Sequence, residues 1–359
     1  MTRQHMTGRR RASYLRVLAL AGALSVLAAA CGGDGDEDDA AQEDATEEEA
    51  PDEETGEDGA AEEEADQEMV DLTVGVIPIA DVAPLYLGIS EGFFEEENLS
   101  VETQEFAGGA EILPAVQSGD LQFGFSNTTS MLIAASQGLP VRIVAQGVQE
   151  AEEEENAWAH IWVREDSDIE TAEDLEGRTI SLNTLQNITE VTARYSLEQL
   201  GADNSELTFV EVPFPEANAA LEQGDVDAIY VVEPFDTIAR QSGARPIVAP
   251  LHATEPSLTV ATYFAMQDYI DGNEDVVERF QSAMNRSLEY AAENPEAVRE
   301  TLGTYTRIPE DLIPEVRLAQ WSTDLNQPSI ELMGELSVQY GLIDEAPNVE
   351  EMIWTPGGS

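Results

Sequence analysis

Four short segments gather the side chains best suited to hold a small polar molecule. Residues 78–84 read Pro78-Ile79-Ala80-Asp81-Val82-Ala83-Pro84, and residues 126–130 read Ser126-Asn127-Thr128-Thr129-Ser130. Residues 183–189 read Asn183-Thr184-Leu185-Gln186-Asn187-Ile188-Thr189, and residues 232–235 read Val232-Glu233-Pro234-Phe235. The second and third segments are uncharged and dense in hydroxyls and amides. Such groups hold a polar or anionic solute with neutral donors, without burying a counter-charge. Asp81 suits a ligand amine, or a cap on the following helix. Glu233 suits a ligand contact, or a solvated hinge acid. Residues 126–130 equally suit a simple helix cap, and 183–189 a surface turn. Tyr86, Phe106, Trp158 and Tyr230 suit the walls of a cleft, or the core.

Catalytic signatures do not accompany these segments. The chain has no P-loop, no dinucleotide-binding glycine fingerprint and no nucleophile elbow. Its three histidines, His5, His160 and His252, are scattered and unclustered, a poor basis for a metal site. The expectation is a binding protein with no metal and no cofactor.

The elements around the segments alternate short apolar strands with amphipathic helices, which predicts an α/β fold with mainly parallel strands. Strands are expected at 72–77, 99–106, 121–125, 141–148 and 158–164. The pattern restarts with strands at 179–182, 207–212, 226–232, 246–249 and 259–266. Helices fill the gaps, and the chain beyond Val276 is expected to be helical to its end. Residues 150–155 form a charged loop. Each candidate segment follows a strand. Ligands of open parallel sheets bind beyond the strands' carboxyl ends, where helix N-termini present free N–H groups. Residues 115–122 match 220–227 in type at nearly every place, which suggests two lobes built alike.

Charge and leader place the protein in the cell. The 359 residues carry 73 acids against 16 basic residues, all arginine, for a net charge of −57. That excludes nucleic acid and anionic lipid as electrostatic partners. An acid-rich chain without lysine resembles proteins of salt-loving bacteria, so haloadaptation is expected. Arg3, Arg9, Arg10, Arg11 and Arg16 precede a weakly polar-to-apolar run over 17–30, short of the roughly 20 residues that span a bilayer. Ala28-Ala29-Ala30 then leads into Cys31, the only cysteine, and the stretch resembles a bacterial lipobox. Residues 32–69 hold 20 acids and no basic residue, so like charges keep this segment extended as a stalk. The expectation is residues 1–30 as a signal peptide, lipid on Cys31, and 31–69 as an anchor and acidic stalk. The folded part then sits on the extracytoplasmic face of the cell membrane.

Specific stretches resemble the nitrate/sulfonate/taurine and thiamine-pyrimidine-precursor binding proteins, the solute receptors of ABC importers. They are Ala83-Pro84-Leu85-Tyr86-Leu87-Gly88, Glu91-Gly92-Phe93-Phe94 with residues 95–99, residues 115–120, Gln137-Gly138-Leu139-Pro140-Val141, residues 174–180, and 220–227 with Glu233-Pro234. The resemblance covers nearly all of residues 71–350. It implies a type II periplasmic-binding fold, two lobes each with a mainly parallel sheet and a ligand cleft between them. Lobe 1 would comprise 71–161 plus 258–359 with C-terminal helices, and lobe 2 residues 162–257. Carried over by position, Pro78, Asp81, Ala83 and Tyr86, then Ser126, Asn127, Thr128 and Thr129, match ligand loops of the first lobe. Asn183, Thr184, Gln186, Asn187, Ile188 and Thr189, with Tyr230 and Glu233, match those of the second. The implied function is capture of a sulfonate-, taurine- or nitrate-like solute by a monomer that docks on importer permease subunits. The runners-up are a pyrimidine or other vitamin-precursor ligand, and a biosynthetic enzyme of the same fold class.

Overall fold

The computed structural model describes residues 68–357. The expected leader, Cys31 and nearly all of the acidic stalk lie outside them. Each sheet has five strands. The first half of the chain runs β1 (Val70–Val76), α1 (Ala83–Ser90), α2 (Phe93–Glu96), β2 (Leu99–Glu105), α3 (Gly109–Ser118), β3 (Phe123–Asn127), α4 (Thr128–Ser136) and β4 (Val141–Gln149). Next come β5 (Ala159–Val163), β6 (Thr179–Leu182), α5 (Ile188–Gln199), β7 (Thr208–Glu211), α6 (Phe214–Gln223), β8 (Ala228–Val232), α7 (Phe235–Gln241), β9 (Arg245–Val248) and α8 (Pro250–Thr254). Strand β10 (Thr259–Met266) precedes α9 (Gln267–Gly272), α10 (Glu274–Glu293), α11 (Pro295–Tyr305), α12 (Gln327–Gln339) and α13 (Val349–Met352).

The sheet orders are β2-β1-β3-β10-β4 and β7-β6-β8-β5-β9. In each, four strands run one way and one runs against its two neighbours, β10 in the first and β5 in the second. The reversed strands are the ones that change sheets. Two connections, residues 150–158 and 249–258, therefore join the lobes side by side. The fold is the expected two-lobed α/β architecture.

Local sequence explains the elements. β3, β8 and β10 are buried along their whole length, which fits their near-continuous apolar runs. α10 buries Val276, Val277, Phe280, Ala283, Met284, Ser287, Leu288 and Ala291, a stripe at helical spacing. Phe280 stacks on Phe123 with ring centroids 3.8 Å apart, fixing α10 to the first sheet. The repeated stretch is structural in both lobes: α3 ends on Gly119 at φ 82° and α6 on Gly224 at φ 76°. Each glycine takes the left-handed cap that residues with a Cβ resist.

Gly147 on β4 answers a close approach instead. A Cβ there would lie 2.6 Å from the Ala261 backbone oxygen and 2.8 Å from the Phe125 ring. The carbonyl belongs to the adjacent ladder and cannot swing away. Gly147→Ala is expected to cost about 1–3 kcal/mol of unfolding free energy, read by urea denaturation. An unchanged midpoint would mean β4 and β10 part easily.

Three regions differ from the expected pattern, one of them the non-helical stretch over 340–348 between α12 and α13. Residues 306–326 are not helical apart from a single turn at Ile313–Glu315. Pro309 and Pro314 interrupt helical hydrogen bonding, and the segment instead becomes a strap that binds both lobes. The Glu315 carbonyl accepts from Arg240 and Thr237, the Arg317 N–H donates to Glu233, Gln320 pairs with Gln149, and Trp321 Nε1 donates to the Asp81 carbonyl. Residues 150–155 are not uniformly a solvated loop either. Glu150 is fully buried, its N–H bonded to the Leu258 carbonyl where the two inter-lobe connections run together.

Candidate functional site

The two hydroxyl- and amide-rich segments meet face to face. Asn127 ends β3 and caps α4, its Oδ1 accepting from Ser130 N at 2.9 Å. Asn187 caps α5 in the other lobe, accepting from Glu190 N at 3.2 Å. Across the cleft, Ile188 N donates to the same Asn127 Oδ1 at 3.3 Å. Asn183 Nδ2 reaches the Ala107 carbonyl at 3.3 Å, and Ala80 N bonds the Glu233 carbonyl at 2.9 Å. The lobes are thus closed on one another, with two helix N-termini converging between them.

A network in the second lobe holds this arrangement. Asn187 Nδ2 donates to Asn183 Oδ1 and to Thr184 Oγ1, both at 2.9 Å. Thr189 Oγ1 donates to Asn187 Oδ1 at 2.6 Å. Asn183, Thr184, Asn187 and Thr189 are all buried, so each lost bond would strand a polar group.

An inner cavity of about 30 Å³ lies at the meeting point. It is room for about two waters. Asp81, Asn127, Asn183, Asn187, Ile188 and Thr189 line it, together with apolar Ile77, Ile79, Phe125, Phe214, Val232, Leu251, Val260 and Ala261. An outer pocket of about 350 Å³ adjoins it through Ile77, Ile79 and Phe214. Its walls include Pro78, Phe106, Pro213, Pro215 and Phe235, with Glu105 and Glu111 as its charged residues.

The remaining predicted residues lie around this centre without lining the inner cavity. Ala83 is buried at the start of α1. Tyr86 stacks on Tyr305 at 3.9 Å and donates to Thr103, away from the cleft. Ser126 is buried behind the cavity, and Thr128 donates to the Thr259 carbonyl. Thr129 is buried, its Oγ1 without a hydrogen-bond partner. Thr184 serves the asparagine network. Gln186 faces a separate groove with Leu185. Tyr230 is buried in the second sheet, its hydroxyl 3.1 Å from Thr192 Oγ1. Trp158 is buried too, with Nε1 on the Gln149 carbonyl.

Glu233 is not the solvated acid that its place before Pro234 allowed. It is fully buried, and its carboxyl accepts from Thr237 N, Thr237 Oγ1 and Arg317 N. Burial and the neighbouring Asp236 push its carboxyl well above the usual range. Burial likewise pushes Asp81 up to about 7, and Glu150 up to about 8 with further repulsion from Asp81 and Asp236. Asp236 itself accepts from Trp162 Nε1 at 2.7 Å and lies 2.9 Å from His160 Nδ1.

The aromatic mouth was the part that sequence reasoning missed. Phe214 and Phe235 line the outer pocket, with only Phe106 among the expected wall residues. The signal was present: Pro213-Phe214-Pro215 follows β7, at a strand exit like the other segments. Among the described residues, no group of three His, Cys, Asp or Glu is placed to hold a metal ion, and no helix is long and apolar enough to cross a membrane.

Two closed lobes, each offering an asparagine-capped helix to a shared cavity, define a two-lobed solute-binding architecture. The profile of the NMT1/THI5-like family matches residues 79–298, and the chain belongs to that family. It is 24% identical over 266 residues to the taurine-binding periplasmic protein of Escherichia coli strain K12, covering 72% of this chain and 80% of that one. It is 23% identical over 223 residues to the formylaminopyrimidine-binding protein of Halalkalibacterium halodurans, covering 61% and 65%. An enzyme also matches, the 4-amino-5-hydroxymethyl-2-methylpyrimidine phosphate synthase of Aspergillus parasiticus, 24% identical over 234 residues and covering 61% and 65%. Among solved structures, the alkanesulfonate-binding protein of Xanthomonas axonopodis pv. citri superposes with a TM-score of 0.66 at 18% identity, covering 80% of this chain and 99% of that one.

Proposed function

We propose that the chain is an extracytoplasmic solute-binding lipoprotein. In this reading residues 1–30 are a cleaved leader, Cys31 carries the lipid, and the acidic stalk lifts a monomeric receptor off the membrane. The receptor captures a small anionic or polar solute of the sulfonate, taurine or nitrate kind. It then docks, closed, on the permease subunits of an ABC importer. The observation that carries the reading is the convergence of α4 and α5 on one cavity. Their N-termini bring partial positive charge to a ligand without any arginine, which suits a solute that must be released again. The direct bond from Ile188 N to Asn127 Oδ1 is one that a solute's oxygen would replace. The inner cavity of about 30 Å³ is too small for a sulfonate such as taurine, so binding one requires the lobes to part and reclose around it. Closure is then coupled to binding through differential affinity for the two states.

A pyrimidine or other vitamin precursor is the second reading. It is supported by the aromatic outer pocket, where Phe106, Phe214 and Phe235 provide faces for a ring. We propose no chemical step, since the cleft pairs no nucleophile with a base.

A thermal-shift screen separates these readings. Taurine, alkanesulfonates, nitrate, aminopyrimidines and flavins should be offered at concentrations up to a hundredfold above micromolar. A bound solute is expected to add about 2.7 kcal/mol at 100 times its Kd, a rise of several degrees. A shift with sulfonates or nitrate supports the first reading, and one with pyrimidines alone the second. No shift with any of them would overturn both.

A further inference from the structure

The reading of the cleft as a solute site leaves Asp81 unexplained. The residue is 3% exposed and lines the inner cavity. Its Oδ1 has no hydrogen-bond partner. It is not a helix cap, because α1 has no side-chain cap and the preceding turn over Ala80–Val82 has none either. Its backbone carbonyl, by contrast, is tied to Trp321 of the strap at 3.4 Å, so the residue is held in place while Oδ1 stays without a partner.

The surroundings offer it no cation. No arginine or histidine lines the inner cavity. The charged group that acts on it from the inter-lobe connection, Glu150, is acidic too. A buried carboxyl whose only donor is its own backbone N–H, with Oδ1 left unpartnered, is costly to maintain. A bare anion drawn in by the helix N-termini would meet that carboxyl at the same cavity, and nothing on the wall would separate them. A solute with an N–H donor at one end and acceptor oxygens or ring nitrogens at the other satisfies both walls at once.

We propose that Asp81 accepts a hydrogen bond from a nitrogen of the solute, so that the cleft selects molecules bearing an ammonium, amidine or ring-amino group over isosteres that lack one. The rest of the solute then lies against Asn127, Asn187 and the two helix N-termini. This choice cuts across the sulfonate and pyrimidine readings. It predicts aminosulfonates over plain sulfonates, and aminopyrimidines over unsubstituted ones.

The test uses matched pairs on the full-length chain by titration calorimetry: taurine against ethanesulfonate, and 4-amino-2-methylpyrimidine against 2-methylpyrimidine. At pH 8, above the value of about 7 to which burial pushes Asp81, the wild type is expected to bind the amino member of a pair at least about tenfold more tightly, the effect of one hydrogen bond to a charged group. In Asp81→Asn, which keeps the shape and loses the charge, the preference should fall to within about threefold. Unfolding of the same variant should show an intact domain, since a buried unpaired carboxyl has been removed. Equal affinity for both members, or a preference that survives in Asp81→Asn, overturns the proposal and leaves the solute site standing. Failure of all four compounds to bind the wild type overturns the proposal, and failure of nitrate as well overturns the solute reading with it.

Discussion

Asn187→Ala is expected to lower the unfolding free energy by about 2–4 kcal/mol and to weaken solute binding at least tenfold. The side chain does four jobs at a position only 1% exposed. Its oxygen caps α5 through Glu190 N and accepts from Thr189 Oγ1, and its amide holds Asn183 Oδ1 and Thr184 Oγ1. Loss of a cap alone costs about 0.5–2 kcal/mol. Stranding buried polar partners adds about 1–3 kcal/mol. The partners cannot turn to water, because Asn183, Thr184 and Thr189 are buried with it. Asn187→Ser separates the two contributions. A serine restores the cap but cannot bridge Asn183 and Thr184, so stability should recover partly while binding does not. Denaturant titration and calorimetry on both variants decide it. If Asn187→Ala is as stable as wild type, the network is not what holds the N-terminus of α5.

Asn127 is coupled to this site across the cleft, since its Oδ1 receives both Ser130 N and Ile188 N. The two asparagines are thus parts of one closed arrangement. That is why substitution at either should be felt by a solute touching only the other.

The segments at this site were legible in the sequence because strand exits are marked twice. A buried strand is a dense apolar run, as in β3 and β6, and the residues at its exit change abruptly to hydroxyls and amides. The lobes were legible for a similar reason: the glycine that ends α3 recurs at the end of α6. What stayed hidden was set by distant partners. Tyr86 follows the same strand exit as Asp81, yet it packs on Tyr305 from a helix more than two hundred residues on. The strap over 306–326 has mixed composition and two prolines, and its path is fixed by Glu233, Arg240, Gln149 and Asp81 from both lobes. Glu150 opens an acidic run that reads as solvated. Only the meeting of the two inter-lobe connections buries it, and no neighbour in sequence records that.

The same buried acids predict a domain that is more stable at pH 5.5 than at pH 7.5. Asp81 is pushed up to about 7 and Glu150 up to about 8, and Glu233 is raised as well, in each case mainly by burial. In the unfolded chain these carboxyls titrate near 4. Between about pH 4 and 8 the native state therefore binds more protons than the unfolded one, so stability falls as pH rises. Each such group contributes a slope of up to about 1.4 kcal/mol per pH unit within its window. Asp174 and Asp203 are lowered by hydrogen bonds from Glu170 N, Thr171 and Ser205, and they act with the opposite sign only below about pH 4. Repulsion among the many surface acids has the same sign as the buried groups, but salt screens it, with a Debye length of about 3 Å at 1 M. Urea denaturation at 1 M salt thus isolates the buried set. Glu150→Gln keeps the Oε1 that accepts from Ala151 N at 2.7 Å and removes the titration, so it should flatten the slope by close to one proton. A domain whose stability rises from pH 5.5 to 7.5 in high salt would show these carboxyls ionised in the folded state. It would also mean that water or a cation reaches the seam where the lobes join.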